Sequence, residues 1–294
     1  MAQLNRFGEA IARHAPHDGS FDTLLPGVKL IRCALPTLPM PVIYEPTVCF
    51  VAQGRKRATL GSSIIHYDPS SYLLASVGVP VMGAVVEASP AQPYLSLQLD
   101  LDAAVVAELA LQHPRPAGTD GTAISLTRDA MTPGLLDAVT RLVTLLDTPD
   151  DIAALAPLAL REILYRLLAG PNGAALYALT RADSRQGQIA RAIAWIRANF
   201  RGACAIEEIA RVAGMSRSTF HEHFKAVTAM SPLAFRTQLR MQEARRLMVA
   251  DGMDAANAGF RVGYDSPSQF SRDYARLFGA PPGRDAQRLR LELP

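Results

Sequence analysis

IEEIARVAGMSRSTFHEHFKAVTAMSP, from Ile206 to Pro232, is answered about 50 residues later by AGFRVGYDSPSQFSRDYARLFGAPP, from Ala258 to Pro282. Aligned, Ser216 meets Ser266, Phe220 meets Phe270, Phe224 meets Tyr274 and Pro232 meets Pro282. A pattern repeated at a fixed offset is a stronger signal than either copy alone. Each copy has the same physical logic. A small residue, Ala210 or Gly259, stands where a second helix must cross the first. Gly214 or Gly263 then ends the first helix, because the turn needs backbone angles that a Cβ resists. Ser216 or Ser266 follows as the N-cap of the next helix. That helix carries aromatics at i and i+4, Phe220/Phe224 and Phe270/Tyr274, which face inward and leave the other face free.

These residues resemble the AraC/XylS family of bacterial transcription regulators. VGYDSPSQFSRDYARLFGAPP looks like the family's C-terminal signature, and MSPLAFRTQLRMQEARRLM looks like the end of its first motif with the linking helix. The resemblance covers roughly 186–289 and implies two helix-turn-helix units that place their second helices in the major groove of DNA. One departure stands out: Gly259 lies where the family usually has Ala. Gly costs a helix up to about 1 kcal/mol relative to Ala, so a softer first helix is expected in the second unit.

The family pattern puts Arg217, Ser218, His221 and Glu222 on the first reading face, and Ser268, Gln269, Ser271 and Arg272 on the second. Arg pairs bidentately with guanine, Gln with adenine, and Glu accepts from cytosine N4. Arg272 is the leading base reader, the alternatives for it being a phosphate or the neighbouring Asp273. Lys225 and Arg240 are expected as phosphate anchors. Ser231, Pro232 and Pro282 mark helix N-termini suited to phosphate. His221 and His223, two apart, point to different faces of a helix and do not make a metal pair. Between the units, Pro232 to about Val249 reads as a helix of roughly 25 Å. Such a rod sets two reading helices into neighbouring grooves about 34 Å apart, or bends the DNA if it is too short.

Charge divides along the same line. Of the 294 residues, 185–294 hold 17 Lys+Arg and 10 Asp+Glu, a net +7, whereas 1–184 hold 13 and 17, a net −4. A positive half that also carries the repeated motif suits a polyanion. Three cysteines, Cys33, Cys49 and Cys204, are too few and too scattered for a disulfide framework or a cysteine-based zinc site. The polar start and the lack of an 18-residue apolar run predict a protein without leader or membrane span, cytoplasmic and reduced.

Working back towards the N-terminus, residues 4–15 fit a short amphipathic helix with Leu4, Phe7 and Ile11 on one side. From Phe21 to about Leu101 the texture is strand-like: GVKLIRCAL, TVCFVAQGRKRATL, SIIHYDP, SYLLASV, VPVMGAVVEA and YLSLQLDL, bounded by Pro, Gly, Asp or Ser. That predicts an antiparallel barrel or sandwich. Asp100 or Asp102 is placed to cap a helix over 103–112. HPRPAGTDG is a loop, and Thr132-Pro133 opens a helix. Apolar helices are predicted over 133–147 and 151–169, with a tether after Gly170. This half is similar to the cupin-like sensor domain of one AraC-type subgroup over about 21–169. The resemblance implies a barrel followed by helices that either mediate dimerisation, cover the barrel, or both.

The expected fold class is therefore α+β with two domains: a cupin-like β-barrel with flanking helices over 1–175, a linker over 176–184, and an all-α domain with two helix-turn-helix motifs over 185–294. The expected function is sequence-specific DNA binding controlled by a small-molecule effector. The expected partners are promoter DNA, that effector, RNA polymerase and a second copy of the chain, with no cofactor, metal or membrane. Effector sensing falls to Cys49 and His66. Cys49 is either a small buried hydrophobe or a thiol open to electrophiles such as aldehydes. A metal-dependent cupin enzyme is the rival class, but His66 in IIHYDP lacks the paired histidine and later ligands such a site needs. An architectural DNA binder is a third class, but the large separate N-terminal half argues against it, since packaging DNA does not require a barrel.

Overall fold

The computed structural model of the chain describes residues 2–113, 125–181 and 184–292. All but the first residue of the loop expected over 113–121 lies outside the described residues. The chain divides into two compact units, Met1–Ala190 with Ala226–Ala229, and Arg191–Lys225 with Met230–Pro294.

The first unit opens with helix α1 (Ala2–His14), whose Phe7, Ala10 and Ile11 are fully buried. Ten strands follow: β1 (Gly19–Asp22), β2 (Val28–Cys33), β3 (Met40–Tyr44), β4 (Thr47–Gln53), β5 (Arg55–Leu60), β6 (Ser63–Tyr67), β7 (Ser71–Ala75), β8 (Val79–Glu87), β9 (Tyr94–Asp100) and, beyond helix α2 (Ala103–Gln112), β10 (Leu126–Ala130). Their antiparallel ladders make a six-stranded sheet ordered β1-β2-β9-β4-β7-β10 and a four-stranded sheet ordered β3-β8-β5-β6. Among the described residues no ladder joins the two, so the strands form paired sheets rather than the closed barrel expected. β4 is central, paired with β9 on one side and β7 on the other. Its run TVCFVAQ shows no polar alternation because both of its faces are covered. Val48 and Phe50 join α1, α3 (Pro133–Thr144) and α4 (Ile152–Ala169) in one core. Cys49 faces the other way, towards the small sheet.

Local chemistry starts and stops these elements. Asp102 Oδ1 accepts from Ala104 N and Val105 N at 2.8 and 3.3 Å, which settles the cap of α2. Thr132 Oγ1 accepts from Leu135 N at 3.3 Å, and Pro133 fills the first turn of α3. Two elements were not anticipated. β10 adds an edge strand along β7, and α5 (Gly173–Thr180) forms where a tether was expected. Ala175 and Leu176 of α5 are buried in the first core, so the linker expected over 176–184 begins inside a packed helix.

The second unit contains the rest of α6 (Arg185–Asn199), then α7 (Ile206–Ala213), most of α8 (Arg217–Thr228), α9 (Pro232–Ala250), α10 (Ala255–Arg261), α11 (Pro267–Phe278) and α12 (Pro282–Glu292). Gly214 caps α7 with φ +69°. Gly263 does the same after α10 with φ +93°, and a Cβ there would lie 2.0 Å from the Arg201 carbonyl oxygen. Gly259 is a matter of space: its Cβ would meet Phe270 Cγ at 2.9 Å. The glycine lets the Phe270 ring lie against the α10 backbone, which is the reason for the departure noted in the sequence. α9 runs 19 residues, about 28 Å. Its Met241, Ala244, Leu247 and Met248 pack with Ala258, Val262, Phe270, Tyr274 and Ala286.

This core also buries charge. Asp285 is fully enclosed and accepts from Arg245 Nε at 2.8 Å, Arg245 Nη2 at 3.1 Å, the Tyr274 hydroxyl at 2.9 Å and Arg288 Nη2 at 2.8 Å. Arg245 Cζ lies 4.3 Å from the centroid of the Phe278 ring. One carboxylate thus ties α9, α11 and α12 together. Removing one partner of a buried pair strands the other, at about 3–5 kcal/mol. Asp285→Ala is expected to cost that much in chemical denaturation of the helical unit. Gly259→Ala sets up to about 1 kcal/mol of helix propensity against about 1–3 kcal/mol of overpacking. It is expected to lower the melting temperature; an increase would show that Phe270 has room to yield.

Candidate nucleic-acid interface

α8 and α11 begin alike. Ser216 Oγ accepts from Thr219 N at 3.3 Å, and Ser266 Oγ accepts from Gln269 N at 3.4 Å. Phe220 and Phe224 on one helix, Phe270 and Tyr274 on the other, are completely buried. Their rings sit edge-on or tilted at centroid distances of 5.3 and 5.6 Å. Burying two aromatics four residues apart fixes the rotation of a helix about its axis. The opposite faces are therefore presented outward. Arg217, Ser218, Glu222 and Lys225 are exposed on α8, with His221 half-buried against Phe220. Ser268, Gln269 and Arg272 are exposed on α11, with Ser271 half-buried.

The charged members differ in how they are held. Among the described residues Arg272 has no ion pair. The neighbouring Asp273 is taken by Arg276 at 2.5 Å and by the Tyr264 hydroxyl at 3.1 Å, so the expected alternative partner is occupied. Burial, reinforced by Asp273, holds the Tyr264 phenol above its ordinary range and keeps it a donor. Arg217 pairs with Glu207 at 2.9 Å, both 60% or more exposed. Such a surface pair is worth about 0–1 kcal/mol and leaves the guanidinium available to an anion.

Arg240 corrects an expectation. It is not displayed for phosphate: its Nε donates to Phe200 O at 2.7 Å, Nη1 to Gly263 O at 2.8 Å, and Nη2 to Arg201 O and Gly202 O at 2.9 and 3.2 Å. Arg236, one turn earlier, donates to Phe200 O and Gly202 O as well. The two side chains satisfy carbonyls of the turn after α6 and hold it to the rod, a structural use of charge. Ser231 caps α9 by accepting from Ala234 N at 3.2 Å, while Pro232 and Pro282 are buried. His223 is half-buried with Nδ1 unpartnered, on a different side from His221. Among the described residues no three His, Cys, Asp or Glu side chains gather as a metal group.

The two residues assigned to effector sensing lie apart. Cys49 is 4% exposed and faces the space between the sheets. Burial pushes its thiol up to about 11, so at neutral pH it is the unreactive thiol rather than the thiolate. His66 pairs with Arg57 on the face of β6 that looks away from the other sheet, and it is exposed. It does not share a site with Cys49. The sequence reading missed the inward roles of Asp285, Arg236 and Arg240. The one signal available was the i, i+4 spacing of Arg236 and Arg240 on a helix otherwise rich in buried apolar positions.

Comparison with known proteins agrees with this arrangement. Residues 24–175 match the family described as AraC-type transcriptional regulator N-terminus, and residues 209–288 match a helix-turn-helix domain. Over 92 residues the chain is 35% identical to the RCS-specific HTH-type transcriptional activator RclR of Escherichia coli, covering 31% of this chain and 32% of that protein. Over 133 residues it is 28% identical to the HTH-type transcriptional regulator ExsA of Pseudomonas aeruginosa, covering 45% and 48%. The matches thus span between a third and about half of these relatives' length. A crystal structure of ToxT from Vibrio cholerae with an unsaturated fatty acid bound superposes with a TM-score of 0.56 at 11% identity, over 92% of this chain and 97% of that one. That likeness is one of fold alone. Among the described residues no helix is long and apolar enough to cross a membrane. With its sheet domain matched over more than half the chain and a helix-turn-helix domain behind it, the protein belongs to the AraC-type transcriptional regulators.

Proposed function

We propose that the chain is a sequence-specific DNA-binding regulator in which α8 and α11 are the two reading helices and the sheet domain holds a small-molecule effector. The observation that carries the reading is the repeated geometry: two serine-capped helices, each turned polar side out by a buried aromatic pair. In such a unit the N-terminal half of the second helix enters the major groove. Arg272, exposed and without an acidic partner among the described residues, is assigned to guanine, Gln269 to adenine and Glu222 to cytosine. Arg217, Ser218, His221, Ser268 and Ser271 complete the faces, and Lys225 is assigned to phosphate. Arg240 is withdrawn from that set. α9, about 28 Å against a helical repeat of about 34 Å, favours DNA that bends towards the protein.

The effector half of the proposal rests on the paired sheets, which we read as a cupin-like container, and on ToxT, whose structure holds a fatty acid within the same fold. A ligand that binds one conformation of the sheet domain better than another would shift how the DNA-binding half is held. A second copy of the chain is assigned to α4, where Leu155, Leu158 and Tyr165 are 45, 64 and 41% exposed. RNA polymerase is the further partner at a promoter, which places the protein in the cytoplasm. The matched relatives are regulators, and the reading calls for no catalysis.

Selection of bound DNA from a random pool followed by footprinting tests the reading. Discrete protected sites about two helical turns long are expected; uniform coating of the duplex would point to an architectural binder instead. On the selected site Arg272→Ala is expected to cost about 1–3 kcal/mol, with much less lost on random DNA. An equal loss on both would assign Arg272 to the backbone.

A further inference from the structure

One lysine turns inward between the two sheets. Strand register sends Lys56 inward with Tyr67 and Val85, whereas Arg55 and Arg57 of the same strand point out. Lys56 Nζ lies 5.9 Å from the ring centroids of both Tyr44 and Tyr94, one on each sheet. The Tyr44 and Tyr67 hydroxyls are 3.3 Å apart. Cys49 comes from the facing strand. Gly83 lies beside this group: its position is within ordinary contact distance of Lys56 Cε and the Tyr44 hydroxyl. Tyr44, Tyr67 and Tyr94 are 0–2% exposed, and Lys56 alone of the group keeps part of its surface open.

This is a costly thing to build. An ammonium among apolar walls is normally matched by a carboxylate. Among the described residues no acidic side chain is found with the groups acting on Lys56. Burial pushes the Cys49 thiol up to about 11 and the Tyr94 hydroxyl up to about 12, so both are neutral at physiological pH and supply no counter-charge. Tyr67 is likewise raised by burial. Burial opposes the charge on Lys56, while its hydrogen bond to the Tyr44 hydroxyl and the part of its surface left open support it. The result is one fixed positive charge with hydroxyl donors beside it and no anion of its own.

We propose that Lys56, with the Tyr44 and Tyr67 hydroxyls beside it, is the anchor for the head group of the effector, and that the effector is an organic monocarboxylate with an apolar body. This deepens the effector reading above and rests on it. One ammonium balances one negative charge; a phosphate dianion would be left undercompensated in the same surroundings. Val51, Leu60, Leu73, Val79 and Val81, buried on the inward faces of the two sheets, offer an alkyl or aryl body nothing to hydrogen-bond. Lys56 thereby replaces Cys49 and His66 as the sensing residue.

The test is calorimetric titration of the full chain, without DNA, with octanoate and benzoate and with the corresponding neutral amides. At least one carboxylate is expected to bind about tenfold or more tightly than its amide, the worth of a charge-assisted hydrogen bond. Lys56→Met should reduce carboxylate affinity to the level of the amide, and Lys56→Arg should keep most of the preference. If neither carboxylate binds, if amides bind as tightly, or if Lys56→Met binds as wild type does, the assignment is overturned. Should Lys56→Met fail to fold, the carboxylate–amide ratio of the wild-type chain decides alone. Footprinting decides the regulator reading separately, since no DNA enters the titration.

Discussion

Everything outward in the helical unit is set by what two aromatic pairs do inward. A helix that buries residues four apart has one rotation left to it. Once Phe270 and Tyr274 are enclosed, Gln269 and Arg272 have no route to the interior, and the same holds for Phe220 and Phe224 against Ser218 and Glu222. The small residues at the crossings, Ala210 and Gly259, permit that burial. The hydrophobic term that stabilises the unit therefore also aims its polar faces.

The buried polar groups serve the same end by different chemistry. A core of methionines, leucines and aromatics tolerates sliding, because dispersion contacts are non-directional. Asp285 is directional. It fixes α11 and α12 to α9 through Tyr274, Arg288 and Arg245. Arg236 and Arg240 do the same for the turn at Phe200–Gly202. Basic residues in a DNA-binding domain are thus of two kinds. Some are spent on carbonyls and carboxylates of the fold, and only the remainder faces outward.

The sequence made the helical unit legible because its signals are local: a cap, a glycine, two aromatics, repeated at one offset. Asp102 and Thr132 were legible for the same reason. The roles of Arg240 and Asp285 were not, since their partners lie about 23–40 residues away along the chain. TVCFVAQ announced a strand, but whether its neighbours closed into a ring depends on pairings between distant strands. β10, LTRDA, is a short edge strand with charges in it, a composition shared with loops. α5 follows Gly170–Gly173, whose breakers masked the helix that came next. Lys56 was hidden in a run of three basic residues, where only the strand register shows which of them turns inward.

The long helix α9 has a further meaning for how the unit melts. Near its start Phe235 stacks edge-on with Phe224 at 5.4 Å; further along, Met241, Ala244 and Met248 belong to the core under α10 and α11. One continuous hydrogen-bonded element is shared between both halves of the duplication. Unfolding it as a whole exposes apolar surface in both halves, which couples their order in a single cooperative block. Either half of the duplication, cut out of this chain, would be left with an unsheltered flank rather than a domain.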